Sequence, residues 1–154
     1  MKVLVLYNSK SGSGDKDSLI KELITYLVDE GVALGNIDIA EPKSIKEAVS
    51  LAKQASQNKV DLIVTMGGDG TINKIAGGIY EGGCHSILGI LPSGTVNNFA
   101  KSLGIPVGKD AIPTLLNGQV KTVKLCKVND HYTISSLTLG IMADITAKVT
   151  SEQK

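Results

Sequence analysis

Three short stretches of the chain carry residue types suited to gripping phosphate. Gly67-Gly68-Asp69-Gly70-Thr71 follows an apolar run and precedes a helical pattern. Its glycines permit positive φ and let a ligand approach the backbone without interference from a Cβ. Helix-start amides, backed by the helix dipole, suit phosphate oxygens, and the Thr71 hydroxyl is a further donor. Asp69 is the anomaly. A carboxylate about 4 Å from a phosphate costs about 4 kcal/mol at an effective dielectric of about 20, so it must face hydroxyls or amides, or meet the phosphate through a cation. A nucleotide with Mg²⁺ satisfies that requirement, and so does a plain N-cap role for Asp69 in the adjoining helix.

A second Gly-Thr pair, Gly94-Thr95, lies in Pro92-Ser93-Gly94-Thr95-Val96-Asn97-Asn98-Phe99-Ala100, again where a strand pattern gives way to a helix. Asn97 and Asn98 fall on the first turn, where their amides can read nucleobase edges or ribose hydroxyls without adding charge. Asn73 can join them or stand as a solvated helix residue. The third stretch, Asn8-Ser9-Lys10-Ser11-Gly12-Ser13-Gly14, is rich in small residues and hydroxyls. Gly12-x-Gly14-x-x-Asp17 lacks the last glycine of the dinucleotide fingerprint, and Gly12 to Ser18 does not fit a Walker A spacing, so a flexible turn remains an equal reading. Ser93 is a poor nucleophile candidate: it has no Gly-x-Ser-x-Gly elbow, and neither His85 nor His131 is placed by sequence to activate it.

These loops need strands and helices to hold them. Residues 3–7 form a continuous apolar run, the pattern of a strand covered on both faces. A helix is expected over 18–30, with Asp17 or Ser18 as cap, Ile20, Leu23, Ile24 and Leu27 as its apolar stripe, and Gly31 as its stop. A strand over 36–40 precedes the capping box Ser44-Ile45-Lys46-Glu47 and its helix. Strands over 60–66 and 87–91 each run into a glycine-bearing loop and a helix, the last closed by Gly104. A short helix over 110–117 carries Pro113 in its first turn. From residue 120 the pattern changes to two β-prone runs, 120–128 and 131–138, separated by Asn129-Asp130, a hairpin turn signal.

The fold class is therefore α/β: a three-layer sandwich with a mainly parallel sheet over 1–119, succeeded by an antiparallel hairpin over 120–154 that opens a different region. In a parallel sheet every strand-to-helix loop leaves from the carboxyl edge, so all three loops share one rim, where ligands of open α/β sheets bind.

Composition excludes several function classes. A formal charge of +1 over 154 residues offers no polycationic surface for a duplex, and one Phe, four Tyr and no Trp give little for bases to stack on. Nucleic acid is not expected as a partner. No stretch of 18 apolar residues occurs and the N-terminal apolar run is too short for a secretory segment, so a cytosolic chain is expected. Cys84 and Cys126 have no second Cys or His at ligand spacing, so neither a disulfide framework nor a zinc site is read. Lys121, Lys124 and Lys127 split between the two faces of a strand and read as solvated lysines.

Gly67-Gly68-Asp69-Gly70-Thr71-Ile72-Asn73 together with Pro92-Ser93-Gly94-Thr95-Val96-Asn97-Asn98-Phe99-Ala100 resembles the two signature motifs of the diacylglycerol kinase catalytic domain, a family that includes bacterial lipid kinases and sphingosine and ceramide kinases. Asn8 to Gly12 is similar to the family's Asn-Pro-x-Ser/Ala-Gly loop, with Ser9 in place of proline. Gly140-Ile141-Met142-Ala143-Asp144 is similar to a stretch at the family's domain junction. Lys74, Asn98 and Ala40-Glu41 depart from residues common in relatives.

The resemblance implies an ATP-dependent lipid kinase using Mg²⁺, with phosphates near the first two loops and the nucleoside toward the second and third. It implies Asn8, Ser11, Gly12, Gly67, Gly68, Asp69, Gly70, Thr71, Asn73, Gly94, Thr95, Asn97 and Asn98 as nucleotide-binding residues. Asp69 is the signature acidic residue and the catalytic candidate of this chain. The general base and acidic metal contacts are expected from a β-rich second domain, so the chain is expected to be the ATP-binding half and inactive alone. Metal-binding residues in this chain are not specified. Expected partners are ATP, a lipid acceptor such as diacylglycerol, and a membrane surface contacted peripherally by the full-length enzyme; self-association into a homo-oligomer stays open. Two alternatives remain: an NAD kinase-like enzyme, which shares the Gly-Gly-Asp-Gly turn but not the Pro-x-Gly-Thr-x-Asn-x-x-Ala loop, and a nucleotide-binding module without turnover.

Overall fold

Four buried or half-buried apolar runs become the strands β1 (Val3–Leu6), β2 (Ile37–Ala40), β3 (Leu62–Gly67) and β4 (Ile87–Pro92). A computed structural model describes residues 1–7 and 16–134 of the chain. The strands form one fully parallel sheet in the order β2-β1-β3-β4. Such a sheet needs cover on both faces. The helix α1 (Lys16–Asp29) supplies one, placing Ile20, Leu23 and Leu27 on Val3, Val5, Leu62 and Val64. The helices α2 (Ile45–Gln57) and α3 (Asp69–Glu81) supply the other, with Ala48, Ala52, Ile75 and Ile79 on Leu4, Leu6 and Ile63.

Local signals hold closely. Gly31 adopts φ +89 and ends α1, with Val32 N donating to Leu27 O at 2.9 Å. Ser44 Oγ accepts from Glu47 N at 3.2 Å, and the Glu47 carboxylate accepts from Lys43 N at 2.8 Å, one residue before the usual capping-box donor. α1 starts at Lys16, ahead of the expected Ser18.

Beyond β4 the chain forms the short helix α4 (Asn98–Ser102), a 3₁₀ turn (Gly108–Ala111), and α5 (Thr114–Asn117). The single helix expected over 110–117 is thus divided at Pro113, which has no N–H to continue the ladder. The hairpin pairs β5 (Cys126–Val128) with β6 (His131–Thr133) across Asn129-Asp130, Asn129 taking φ 52. It is shorter than the expected 120–128: residues 120–125 have no strand partner among the described residues, and Val120 is 72% exposed. The last part of the expected second strand, and Gly140 to Asp144, lie outside the described residues. The hairpin packs on α3, where Tyr132 lies so close to Gly77 that a Cβ there would sit 2.7 Å from its ring, and Tyr80 and Tyr132 ring centroids are 5.4 Å apart.

Candidate nucleotide-binding site

The carboxyl edge of the sheet brings the second and third loops together, and the contact is backbone against backbone. A Cβ on Gly94 would lie 2.5 Å from Gly68 Cα, and one on Gly68 would lie 3.1 Å from Gly94 Cα. Ser93 N donates to Gly67 O at 3.2 Å, continuing the β3–β4 ladder into the loops. No glycine of the Gly67–Gly70 turn has positive φ. The expectation of left-handed backbone is therefore corrected: Gly68 and Gly94 are needed because two loops touch where no side chain fits.

Asp69 is the first residue of α3 and reaches across to the neighbouring loop. Its Oδ1 accepts from Phe99 N at 2.9 Å and its Oδ2 from Asn98 N at 3.0 Å. It therefore caps α4, not its own helix, which is capped by Gly68 without a side-chain bond. Facing amides was one of the options open to this carboxylate, and the amides are the protein's own. Asn97 has φ 54 and is 4% exposed, and its Oδ1 and Nδ2 close on Gly94 N and Gly94 O at 2.9 and 2.7 Å. Both polar ends of the side chain, expected to read nucleobase edges or ribose hydroxyls, are here engaged in holding the loop.

Asn73 Oδ1 accepts from Ile134 N at 3.0 Å and so ties α3 to the hairpin. Gly70, Thr95 and Asn98 are exposed. Nothing lies within 4 Å of where a Gly70 Cβ would sit. The amides of Thr71 and Ile72 both donate to Gly68 O, which leaves those of Asp69 and Gly70 as the helix-start donors without a partner inside α3. Asn8, Ser11 and Gly12 lie outside the described residues.

Beside this clamp a cleft of about 510 Å³ opens over the ends of β1, β2 and β3, between α2 and α3. Leu6, Ala48, Met66 and Ile75 are among its walls, with Glu41, Lys43 and Ser44 on the β2–α2 side and Thr71 at the start of α3. The Gly68–Gly94 contact leaves no room between the second and third loops; the open space beside them is on the α2 side.

Spacing in sequence did not point to several residues of this rim. The Tyr7 phenol is held above its ordinary pKa, first by desolvation and then by the nearby Glu41 carboxylate. Desolvation lowers the Lys16 ammonium, opposed by Glu41; Lys16 is a buried lysine at the start of α1. Thr65, within an otherwise apolar strand, is fully buried and its Oγ1 has no hydrogen-bond partner, a state that costs about 1–3 kcal/mol. A polar residue interrupting a buried strand was the available signal for it. Among the described residues no three His, Cys, Asp or Glu side chains gather to hold a metal ion, and no helix is long and apolar enough to cross a membrane.

A profile of the diacylglycerol kinase catalytic domain matches residues 2–128. The chain is 36% identical over 110 residues to a diacylglycerol kinase of Bacillus subtilis, covering 70% of this chain and 36% of that protein. It is 33% identical over 131 residues to a Klebsiella pneumoniae protein named "Probable lipid kinase YegS-like", covering 84% and 43%. A crystal structure of a diacylglycerol kinase from Bacillus anthracis superposes with a TM-score of 0.73 at 30% identity, covering 85% of this chain and 45% of that one. The chain thus spans less than half the length of these relatives, and the matches favour the lipid-kinase alternative over the NAD kinase-like one. From the paired glycine loops to the parallel sheet beneath them, this chain belongs to the diacylglycerol kinase catalytic domain family.

Proposed function

We propose that the chain is the ATP-binding half of a kinase that phosphorylates a lipid hydroxyl such as that of diacylglycerol, and that the cleft beside α3 receives the nucleotide. The phosphates meet the unpaired amides of Asp69 and Gly70, with the Thr71 hydroxyl beside them. The nucleoside extends over the ends of β1 and β3 toward α2. Thr95 and Asn98 remain accessible for the polyphosphate, while Asp69, Gly94 and Asn97 act by holding the two loops in register. Asn73 couples the helix to the hairpin, which opens the second unit of the enzyme from residue 120 onward. Asn8, Ser11 and Gly12 complete the phosphate grip.

The described side chains do not form a protein-built magnesium site. Mg²⁺ keeps several waters and binds chiefly through phosphate oxygens, so the ion arrives with its nucleotide. Phosphoryl transfer rests on positioning and charge stabilisation, which needs both walls of a closed site; this half binds ATP and transfers little by itself. The whole enzyme works in the cytoplasm, touching the membrane at its periphery to reach its acceptor.

The observation that carries this reading is Gly70: an exposed glycine with ordinary φ and open space around its absent Cβ, at the start of a helix whose first amides are unpaired. Packing does not require glycine there, whereas a phosphate lying against the backbone does. Gly70→Ala tests it. Alanine favours helix by up to about 1 kcal/mol, so the variant should melt at the same temperature or higher, while its ATP affinity, measured by titration calorimetry, falls about tenfold. Equal affinity for ATP in the two proteins would remove the phosphates from this helix end.

A further inference from the structure

Strand β3 is apolar from Leu62 to Met66 except at Thr65. Alternation along the strand puts Thr65 on the face of Ile63, within the core made by Leu4, Leu6, Ala48 and Ile75 under α2 and α3. Valine has the shape for that place without the polar atom. Thr65 is 0% exposed, its Oγ1 is unpaired, and the residue lines the 510 Å³ cleft. The hydroxyls of Ser86 and Ser93 are also unpaired, but neither residue lines the cleft. Buried polar groups are nearly always bonded, so a lone hydroxyl at a cleft floor points to a partner that arrives from outside.

We infer that Thr65 is a nucleotide-recognition residue whose hydroxyl bonds the edge of the nucleobase. The inference rests on the reading of the cleft as the nucleotide site. A base is favoured over a phosphate by the surroundings. Leu6 is level with Thr65 in the sheet, and Ala48 and Ile75 continue an apolar wall that suits a flat ring. Among the described residues that line the cleft, Glu41 offsets Lys43 in formal charge. The unpaired amides of α3 belong to the two residues just before Thr71, which lines the cleft. A nucleotide spanning the cleft therefore brings its base to Thr65 when its phosphates are on Gly70.

Titration of the 154-residue chain with ATP in the presence of Mg²⁺, and separately with inorganic tripolyphosphate, tests this in wild type, Thr65→Val and Thr65→Ser. One neutral hydrogen bond corresponds to a loss of about fivefold. Thr65→Val should bind ATP about fivefold more weakly, bind tripolyphosphate as wild type does, and melt no lower without ligand; Thr65→Ser should keep most of the ATP affinity. Equal ATP affinity in wild type and Thr65→Val overturns the inference. An equal loss for both ligands, or a loss that Thr65→Ser shares in full, also overturns it by showing a structural effect. If wild type binds no ATP, the nucleotide reading fails and takes this inference with it; if Gly70→Ala weakens ATP and Thr65→Val does not, only the role of Thr65 fails.

Discussion

Asp69 shows how one side chain can join two loops that are distant in sequence. Its two oxygens take the first amides of α4, so the carboxylate keeps the third loop against the second. Removing it leaves those amides unpaired and releases a charged cap, together about 1–3 kcal/mol. Asp69→Ala should therefore lower stability by that amount in urea melts, with α4 amides losing hydrogen-exchange protection, and should weaken ATP binding through the loop; full stability in the variant would show that the cap is replaceable. Tyr7 offers a test of the rim through pH. Desolvation and Glu41 penalise its phenolate in the folded chain, so its folded pKa is raised and the unfolded chain ionises first. The stability this contributes is complete below the ordinary tyrosine value and is lost as pH rises through the folded one. Tyr7→Phe should flatten the alkaline fall of the melting temperature. Tyr26 is raised in the same direction and Lys16 is lowered, with the opposite sign, so only part of the slope belongs to Tyr7.

The two glycine loops behave as one element made from two. Gly68 and Gly94 meet through their backbones, Asn97 closes the turn from inside, and Asp69 caps α4. Neither loop has this shape without the other. Gly94→Ala should separate them, because the new Cβ meets main chain at 2.5 Å and has no flexible side chain to displace. An overpacking cost of about 1–3 kcal/mol and loss of ATP binding are expected, readable by thermal melting and calorimetry on the same sample. The contrast with Gly70→Ala is the useful one: both sites are glycine in the signature turns, yet one substitution should unseat the clamp and the other should spare the fold. At the far side of α3, Gly77 and Asn73 hold the hairpin through Tyr132 and Ile134, so the helix whose first amides are unpaired also anchors β5 and β6.

The molecule as described is a four-stranded parallel sheet between helices, with its cleft at the carboxyl rim on the α2–α3 side. It spans about half or less of the length of the relatives it matches. On the proposed function, the 154-residue chain should bind ATP saturably yet transfer no phosphate to a short-chain diacylglycerol above background in a radiolabelled ATP assay. Turnover at the rate of a complete kinase, about 1–100 s⁻¹, would show that this half carries the catalytic groups itself.

The amino-acid order alone determined the kind and succession of elements and the family. Apolar runs, the Ser44–Glu47 capping box, Gly31 and Asn129-Asp130 act over a few neighbouring residues, so their consequences are local and readable. Its limits were local too: Pro113 divides a helix that periodicity joined, and residues 120–125 have β-prone side chains but pair with no strand among the described residues. Only the tertiary structure decided what the signature residues touch. The bonds from Asp69 span 29 and 30 positions, and the Gly68–Gly94 contact exists because β3 and β4 are neighbours in register in the sheet. The same packing turned Asn97 inward, moved the open cleft to the α2 side and left the Thr65 hydroxyl buried without a partner. Residue spacing encodes which face a side chain takes, but not which distant backbone closes on it to within a few tenths of an ångström, and that distance separates a ligand contact from a loop clamp.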